Sequence, residues 1–227
     1  MKVETMGNAT LYLGDCREVL PTLQGVDAIV SDPPYGISYR HSGGLRGATA
    51  AVGITKHANA RGTSAIAGDD EPFDPQHLLA FPKVLIWGAD RYFARLPEIG
   101  GGWLVWDKAI GKGPDDSFVD AEFAWCNWKE KRCVFRMLWK GICTENVGED
   151  NGTRLHETQK PVRLMKWCLS LLPEAETVCD PYMGSGTTGV AAVDMGRKFV
   201  GIEIEPRHFD NACERIARAQ QQQRLFA

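Results

Sequence analysis

Short apolar runs recur along the chain, and most of them end at an acid or a glycine. Ala9–Leu13 leads into Gly14-Asp15, Val26–Val30 into Ser31-Asp32, Lys83–Trp87 into Gly88, Trp103–Trp106 into Asp107, and Thr177–Cys179 into Asp180; Lys198–Ile204 carries Glu203 near its end. Unbroken apolar runs of this length predict strands covered on both faces, as in a parallel sheet. Between them the period changes to that of helices. Residues 16–24 predict a short helix, Asp74-Pro75 opens one to about Phe81, and Asp90–Leu96 predicts another. Val162, Met165, Leu169 and Leu172 recur at helical spacing between Pro161 and Pro173. Thr187–Met195 predicts a helix stopped by Gly196, and Pro206 starts a last one with Phe209, Ala212, Cys213 and Ile216 inward. The glutamine-rich tail after Ala219 is expected to be exposed. Residues 122–128 and 133–139 predict a hairpin across Lys129–Arg132. Alternating strands and helices define the α/β class, and 227 residues suit a single domain over 1–227.

Composition narrows this further. A hydrophobic content of 44% suffices for a sizeable core. No apolar run reaches the roughly 18 residues of a membrane span, and Met1–Leu13 lacks the layout of a signal peptide. The seven cysteines are scattered without a Cys-x-x-Cys pair, and the five histidines lack ligand spacing. Reduced thiols, a cytoplasmic protein and no metal are the expectation. Cys16, Cys179 and the others read as core or bystander residues. Net charge is −3, yet residues 36–68 hold Arg40, Arg46, Lys56 and Arg61 and no acid. Lys129, Lys131, Arg132, Arg136 and Lys140 form a second basic cluster. Either suits phosphate, and either also fits solvated loop charge. Residues 36–70, rich in Gly, Ala and Ser, predict a long mobile loop.

Two strand ends carry chemistry. In open α/β sheets, ligands bind at the carboxyl edge of the strands. At one such end stands Asp32-Pro33-Pro34-Tyr35. The prolines stiffen an extended turn with free carbonyls, so a carboxylate, a rigid carbonyl and an aromatic face form a clamp for a flat, amine-bearing ring. At the other stands Asp180-Pro181-Tyr182-Met183-Gly184-Ser185-Gly186-Thr187-Thr188-Gly189, followed by Glu203 at the next strand end. Glycines 184, 186 and 189 let a ligand approach the backbone, and an acid so placed can hold ribose hydroxyls. Alone, this loop means an adenosine-containing cofactor, with NAD as a rival. Six of the seven tryptophans, 87, 103, 106, 125, 128 and 139, fall on predicted strands, where core packing is the ordinary role.

Taken together, these motifs resemble the amino DNA methyltransferases that use S-adenosylmethionine. Asp32–Tyr35 matches the family's catalytic tetrapeptide and Asp180–Gly186 its cofactor loop. His156-Glu157-Thr158-Gln159-Lys160-Pro161 resembles the segment before that loop in the permuted group, where the catalytic motif comes first. Gly201-Ile202-Glu203 is similar to the ribose-binding strand end, and Gly14-Asp15 to a segment lining the adenine pocket. The likeness extends from Leu11 to about Glu205. It implies a Rossmann-like class I methyltransferase fold: a mostly parallel sheet, one antiparallel strand, and helices on both faces.

For the site, the resemblance implies catalysis by Asp32, Pro33, Pro34 and Tyr35. Cofactor contacts would come from Asp15, Cys16, Asp32, Lys160, Asp180, Pro181, Tyr182, Gly184, Ser185, Gly186, Thr187, Thr188 and Glu203. Lys160 is expected near the cofactor's methionine carboxylate, with His156 or Thr158 assisting. DNA is the implied partner, flipped or single-stranded at the target base, with Arg40, Arg46, Lys56, Arg61 and Lys108 as contacts. Asp at the first tetrapeptide position implies adenine N6 before cytosine N4. RNA or protein-glutamine methyltransferases, a nucleotide-dependent oxidoreductase and an idle DNA-binding module also fit parts of the pattern.

One departure matters. Larger relatives carry a target-recognition region before the cofactor half, where this chain has only residues 141–155. Recognition then falls on 36–70, 107–120, 141–155 or a partner subunit, a homodimer included, and a short or relaxed target is the expectation. With no nuclease motif, a solitary nucleoid-associated enzyme, carried by a phage or prophage, fits best.

Overall fold

A computed structural model describes residues 1–37, 67–98, 100–109, 119–128, 132–140, 143–144 and 159–226. The chain begins with strands β1 (Lys2–Met6) and β2 (Ala9–Leu13), helix α1 (Cys16–Val19) and strand β3 (Ala28–Ser31). Strands β4 (Lys83–Trp87), β5 (Gly102–Asp107), β6 (Ala121–Cys126) and β7 (Cys133–Arg136) follow, then the short pair β8 (Trp139–Lys140) and β9 (Cys143–Thr144). The C-terminal half contains helix α2 (Val162–Ser170), strand β10 (Thr177–Asp180), helix α3 (Thr187–Asp194), strand β11 (Lys198–Glu203) and helix α4 (Pro206–Phe226). Among the described residues, nine strands form one sheet in the order β1-β2-β11-β10-β3-β4-β6-β5-β7. This is the expected mostly parallel α/β sheet.

The continuous apolar strands are central because both faces are covered. Val30, Leu85 and Val178 pack with α2, α3 and α4, through residues such as Leu169, Ala192 and Phe209. Ile29, Ile86 and Cys179 face the other way, toward α1 and the segment around Phe73, Leu78 and Tyr92. Trp87 and Trp106 meet edge to face at 6.4 Å between ring centres. Trp87, Trp106, Trp125 and Trp139 are buried, whereas Trp103 and Trp128 are only partly so. Asp27, the polar break in the second apolar run, accepts the N–H groups of Glu176 and Thr177 at 3.0 and 2.8 Å and ties the entrance of β10 to β3.

Several expectations need correcting. Strands β6 and β7 do not form a hairpin: β6 runs antiparallel between β4 and β5, and β7 pairs parallel with β5. Alternation marks a strand but not its neighbour, and β5 already holds the place between them. Besides β6 there is a second antiparallel strand, β1, which an exposed hairpin adds beside β2 at the sheet edge. The stretch 74–81 makes a single turn, with Leu79 N–H on the Pro75 carbonyl, and Pro82 stops it. Residues 89–95 form two short 3-10 turns, broken at Tyr92, whose hydroxyl is drawn inward to the Trp87 carbonyl.

Topology fixes where a ligand can sit. From β10 the chain passes through α3 to β11 on one side, whereas from β3 it passes to β4 on the other. Adjacent parallel strands whose connections leave in opposite directions open a crevice at their carboxyl ends. Those ends carry Asp180 and Ser31-Asp32. Because β6 is antiparallel, its first residues also lie at this edge. No described helix is long and apolar enough to cross a membrane.

Candidate active site

The two strand tips are joined by a hydrogen bond. Ser31 Oγ donates to Asp180 Oδ1 at 2.6 Å. Asp180 also accepts from the Thr188 hydroxyl at 2.5 Å and the Tyr182 N–H at 3.1 Å. Burial pushes its carboxyl up to about 6, with these three donors pulling the other way. Asp180 therefore acts inward, holding the glycine turn against β3.

The turn itself is braced from three sides. Gly184 N–H donates to Glu203 Oε2 at 2.8 Å, and Glu205 N–H donates to the other carboxylate oxygen at 2.8 Å. Burial raises the Glu203 carboxyl. Arg215 of α4 donates to the Ser185 carbonyl at 2.7 Å, the Ser185 hydroxyl at 2.9 Å and the Thr187 hydroxyl at 3.1 Å. Tyr182 meets His77 at 2.8 Å. Gly184 has φ +52°, and a methyl group added there would meet nothing within 4 Å. An open, positive-φ turn with a carboxylate behind it is a cradle that a nucleoside-bearing group fits. Beside it, Asp15 caps α1 through the Arg17 N–H at 2.8 Å, and Gly14 N–H bonds the Glu203 carbonyl at 2.9 Å.

At the first tip, Tyr35 folds back over its own turn. Its hydroxyl donates to Asp32 Oδ1 at 2.5 Å. Its ring lies against Gly88, which has φ +71°. Lys160 reaches in from the residues before α2 and donates to Asp32 Oδ2 at 2.7 Å and Tyr35 Oη at 3.1 Å. The same ammonium lies 3.0 Å from Glu122 Oε2, and Lys108 donates to Glu122 Oε1 at 2.6 Å. Two cations and two anions thus alternate along the edge. Burial works against the Lys160 ammonium, but Asp32 and Glu122 outweigh it and hold it protonated well above its usual range. Burial also works against the Glu122 carboxylate, yet Lys160 and Lys108 hold it down at about 2. Asp32 is shifted upward by burial, opposed by Lys160 and the Tyr35 hydroxyl.

Lys160, expected at the cofactor's methionine carboxylate, is paired to the tetrapeptide in this structure. Lys108, expected on DNA, is turned inward. Arg40, Arg46, Lys56, Arg61, His156 and Thr158 lie outside the described residues, as do Lys129 and Lys131 and most of 107–120 and 141–155. Sequence reasoning missed Gly88, Glu122 and Arg215. Among these, Glu122 had a usable signal: an acid at the start of a strand becomes an edge residue once that strand is antiparallel. Cys168 and Cys179 are buried, and burial pushes both thiols well up, which disfavours them as nucleophiles.

A cofactor cradle and an acid-proline-proline-aromatic turn on neighbouring parallel strands define a class I methyltransferase with its two halves in permuted order. Comparison with known proteins agrees. A DNA methylase family model, N6_N4_Mtase, matches residues 102–214. The chain is 37% identical to the type II methyltransferase M.HinfI of Haemophilus influenzae over 260 aligned positions, covering 91% of this chain and 68% of that protein. Among solved structures, the cytosine-N4-specific PvuII DNA methyltransferase superposes with a TM-score of 0.58 at 15% identity, over 96% of this chain and 93% of that one. The M1.HpyAVI–SAM complex does so with 0.52 at 21% identity, over 92% and 98%. The chain belongs to the S-adenosylmethionine-dependent amino DNA methyltransferases.

Proposed function

We propose that the chain transfers a methyl group from S-adenosylmethionine to the exocyclic N6 of adenine in DNA. The observation that carries this reading is the junction of the tips, Ser31 Oγ on Asp180 Oδ1, which sets an amine clamp beside a nucleoside cradle. Bound in that cradle, S-adenosylmethionine supplies an electrophilic methyl group. Gly184, Ser185 and Gly186 give it backbone room, Glu203 faces the ribose, and Asp15, Cys16 and Tyr182 border the adenine. Pro181, Thr187 and Thr188 complete the turn, which Asp180 fixes from beneath.

The acceptor amine is a weak nucleophile, because its lone pair is delocalised into the ring. Asp32 and the Pro33 carbonyl accept its two hydrogens and favour a pyramidal nitrogen with its lone pair directed at the methyl carbon. Tyr35 stacks on the ring, and Pro34 stiffens the turn. As the N–C bond forms, the sulfonium S–CH3 bond would break with its electron pair left on sulfur, giving S-adenosylhomocysteine, and the nitrogen would give up one proton to solvent. Positioning supplies most of the acceleration. The amine is out of reach inside a duplex, so the base enters flipped or unpaired. Arg40, Arg46, Lys56 and Arg61 serve phosphate. Adenine is favoured by Asp at the first tetrapeptide position, the pattern that the family resemblance ties to N6.

Labelled transfer to unmethylated DNA, followed by nucleoside analysis, tests the reading. N6-methyladenine is the expected product. N4-methylcytosine would overturn the choice of base, and unlabelled DNA would overturn the function.

A further inference from the structure

Both oxygens of Asp32 already have partners, Tyr35 on one and Lys160 on the other. That creates an electrostatic problem for the proposed reaction, on whose assignment the following rests. The accepting nitrogen becomes cationic as the methyl bond forms, and it does so beside the Lys160 ammonium. A bare cation there would repel the developing charge and draw away the Asp32 electron density that the amine needs. Lys160 is not bare. Its side chain is only 8% exposed, and the ammonium lies 3.0 Å from Glu122 Oε2. The other Glu122 oxygen is held by Lys108, itself 16% exposed at the side chain. Glu122 is the second residue of β6, opposite Trp106 on β5, which sets its carboxylate at the carboxyl edge beside the tetrapeptide.

We infer that Glu122 is a positioning residue for methyl transfer: it neutralises Lys160 and aims it, so that Lys160 fixes the Asp32 carboxylate without cancelling its pull on the amine. The near-zero net charge of the four-residue cluster and the alternation of its signs are the grounds for this role. Glu122 touches neither acceptor nor cofactor in this account, and it acts only through Lys160.

The test uses the full chain, labelled S-adenosylmethionine and unmethylated DNA, with four variants: Glu122→Gln, Glu122→Asp, Lys160→Met, and Glu122→Gln combined with Lys160→Met. Glu122→Gln is expected to slow single-turnover transfer about 10- to 100-fold, the size typical of groups that orient a reacting ligand. Its affinity for S-adenosylmethionine by calorimetry and its KM for DNA should stay within about twofold of wild type, a loss confined to the chemical step. Glu122→Asp restores the charge and should recover part of the rate. The double variant should be no slower than Lys160→Met alone, because one group acts through the other. A wild-type rate for Glu122→Gln would overturn the inference. So would a loss that tracks cofactor affinity, or losses that multiply in the double variant. Absence of transfer by the wild-type chain would sink the function itself, a distinguishable failure.

Discussion

Gly88→Ala is the sharpest perturbation of the acceptor side, because it acts on Tyr35 through packing alone and removes no group that takes part in chemistry. Gly88 follows β4 with φ +71°, a conformation that costs an L-residue about 1–2 kcal/mol. A methyl group built there would lie 2.0 Å from Tyr35 Cε1 and 2.3 Å from Cδ1, far inside contact distance. Either the backbone moves or the ring does. The backbone is held, since Gly88 N–H donates to the Phe123 carbonyl at 2.8 Å and the Gly88 carbonyl accepts from Arg91 at 2.9 Å. The ring is the softer partner, and moving it forfeits the hydroxyl bond to Asp32, worth about 1–2 kcal/mol.

The summed loss is about 2–4 kcal/mol, or roughly 4–16 °C in Tm for a chain of this size. Methyl transfer should fall at least about tenfold, because the displaced ring intrudes where the acceptor base would stack. S-adenosylmethionine affinity should be unchanged, since neither the glycine turn nor Glu203 contacts Gly88. Thermal denaturation, cofactor calorimetry and single-turnover transfer read the three quantities separately. A variant with wild-type Tm and wild-type rate would refute the packing argument, and weakened cofactor binding would show that the two pockets are not separable at this residue.

Three further outcomes are expected. Asp32→Ala should abolish transfer while cofactor affinity, measured by calorimetry, changes little; an unchanged rate would remove Asp32 from the mechanism. Tyr35→Phe keeps the stacking face and frees Asp32 Oδ1, so its single-turnover rate should remain within about tenfold of wild type, whereas Tyr35→Ala should lose far more. The pH dependence of stability should show two opposed limbs. The Glu122 carboxyl, depressed to about 2 from 4.5, contributes stability that is present above pH 4.5 and lost as pH falls toward 2. The Asp180 carboxyl, raised to about 6 from 3.8, contributes stability that is full below pH 3.8 and lost as pH rises through 6, on the order of 3 kcal/mol. Glu122→Gln should flatten the acid limb of a Tm–pH curve and Asp180→Asn the neutral one. Curves parallel to wild type would contradict both assignments.

What the sequence disclosed follows from how each signal is encoded. Strands β3, β4, β10 and β11 were legible because covering both faces leaves a run of apolar residues that no helix period breaks. The two acidic tips were legible because each sits directly at the end of such a run. Strand β1 was not, since Lys2–Met6 lies exposed at the sheet edge and three of its five residues are polar. The order of β5, β6 and β7 was not, because periodicity names a strand without naming its neighbour. Arg215 belongs to no motif, and its place across the glycine turn comes only from the packing of α4. Lys160 stands out by its motif, but its pairing with Asp32 at the β3 tip and Glu122 on β6 has no local signal.

Those partners explain why the permuted chain order works. The acceptor half and the cofactor half meet through Ser31 on Asp180 and Asp32 on Lys160, contacts that span 149 and 128 residues of sequence. Each is made by adjacent residues of one strand end, so the β3 tip is clamped from the cofactor strand on one side and from the residues before α2 on the other. Neither clamp depends on which half comes first in the chain; both depend on β3 and β10 being neighbours with register Ile29↔Cys179. The geometry that brings a methyl donor to an amine is therefore a property of the switch point, and chain order is free to vary so long as those two strands remain side by side.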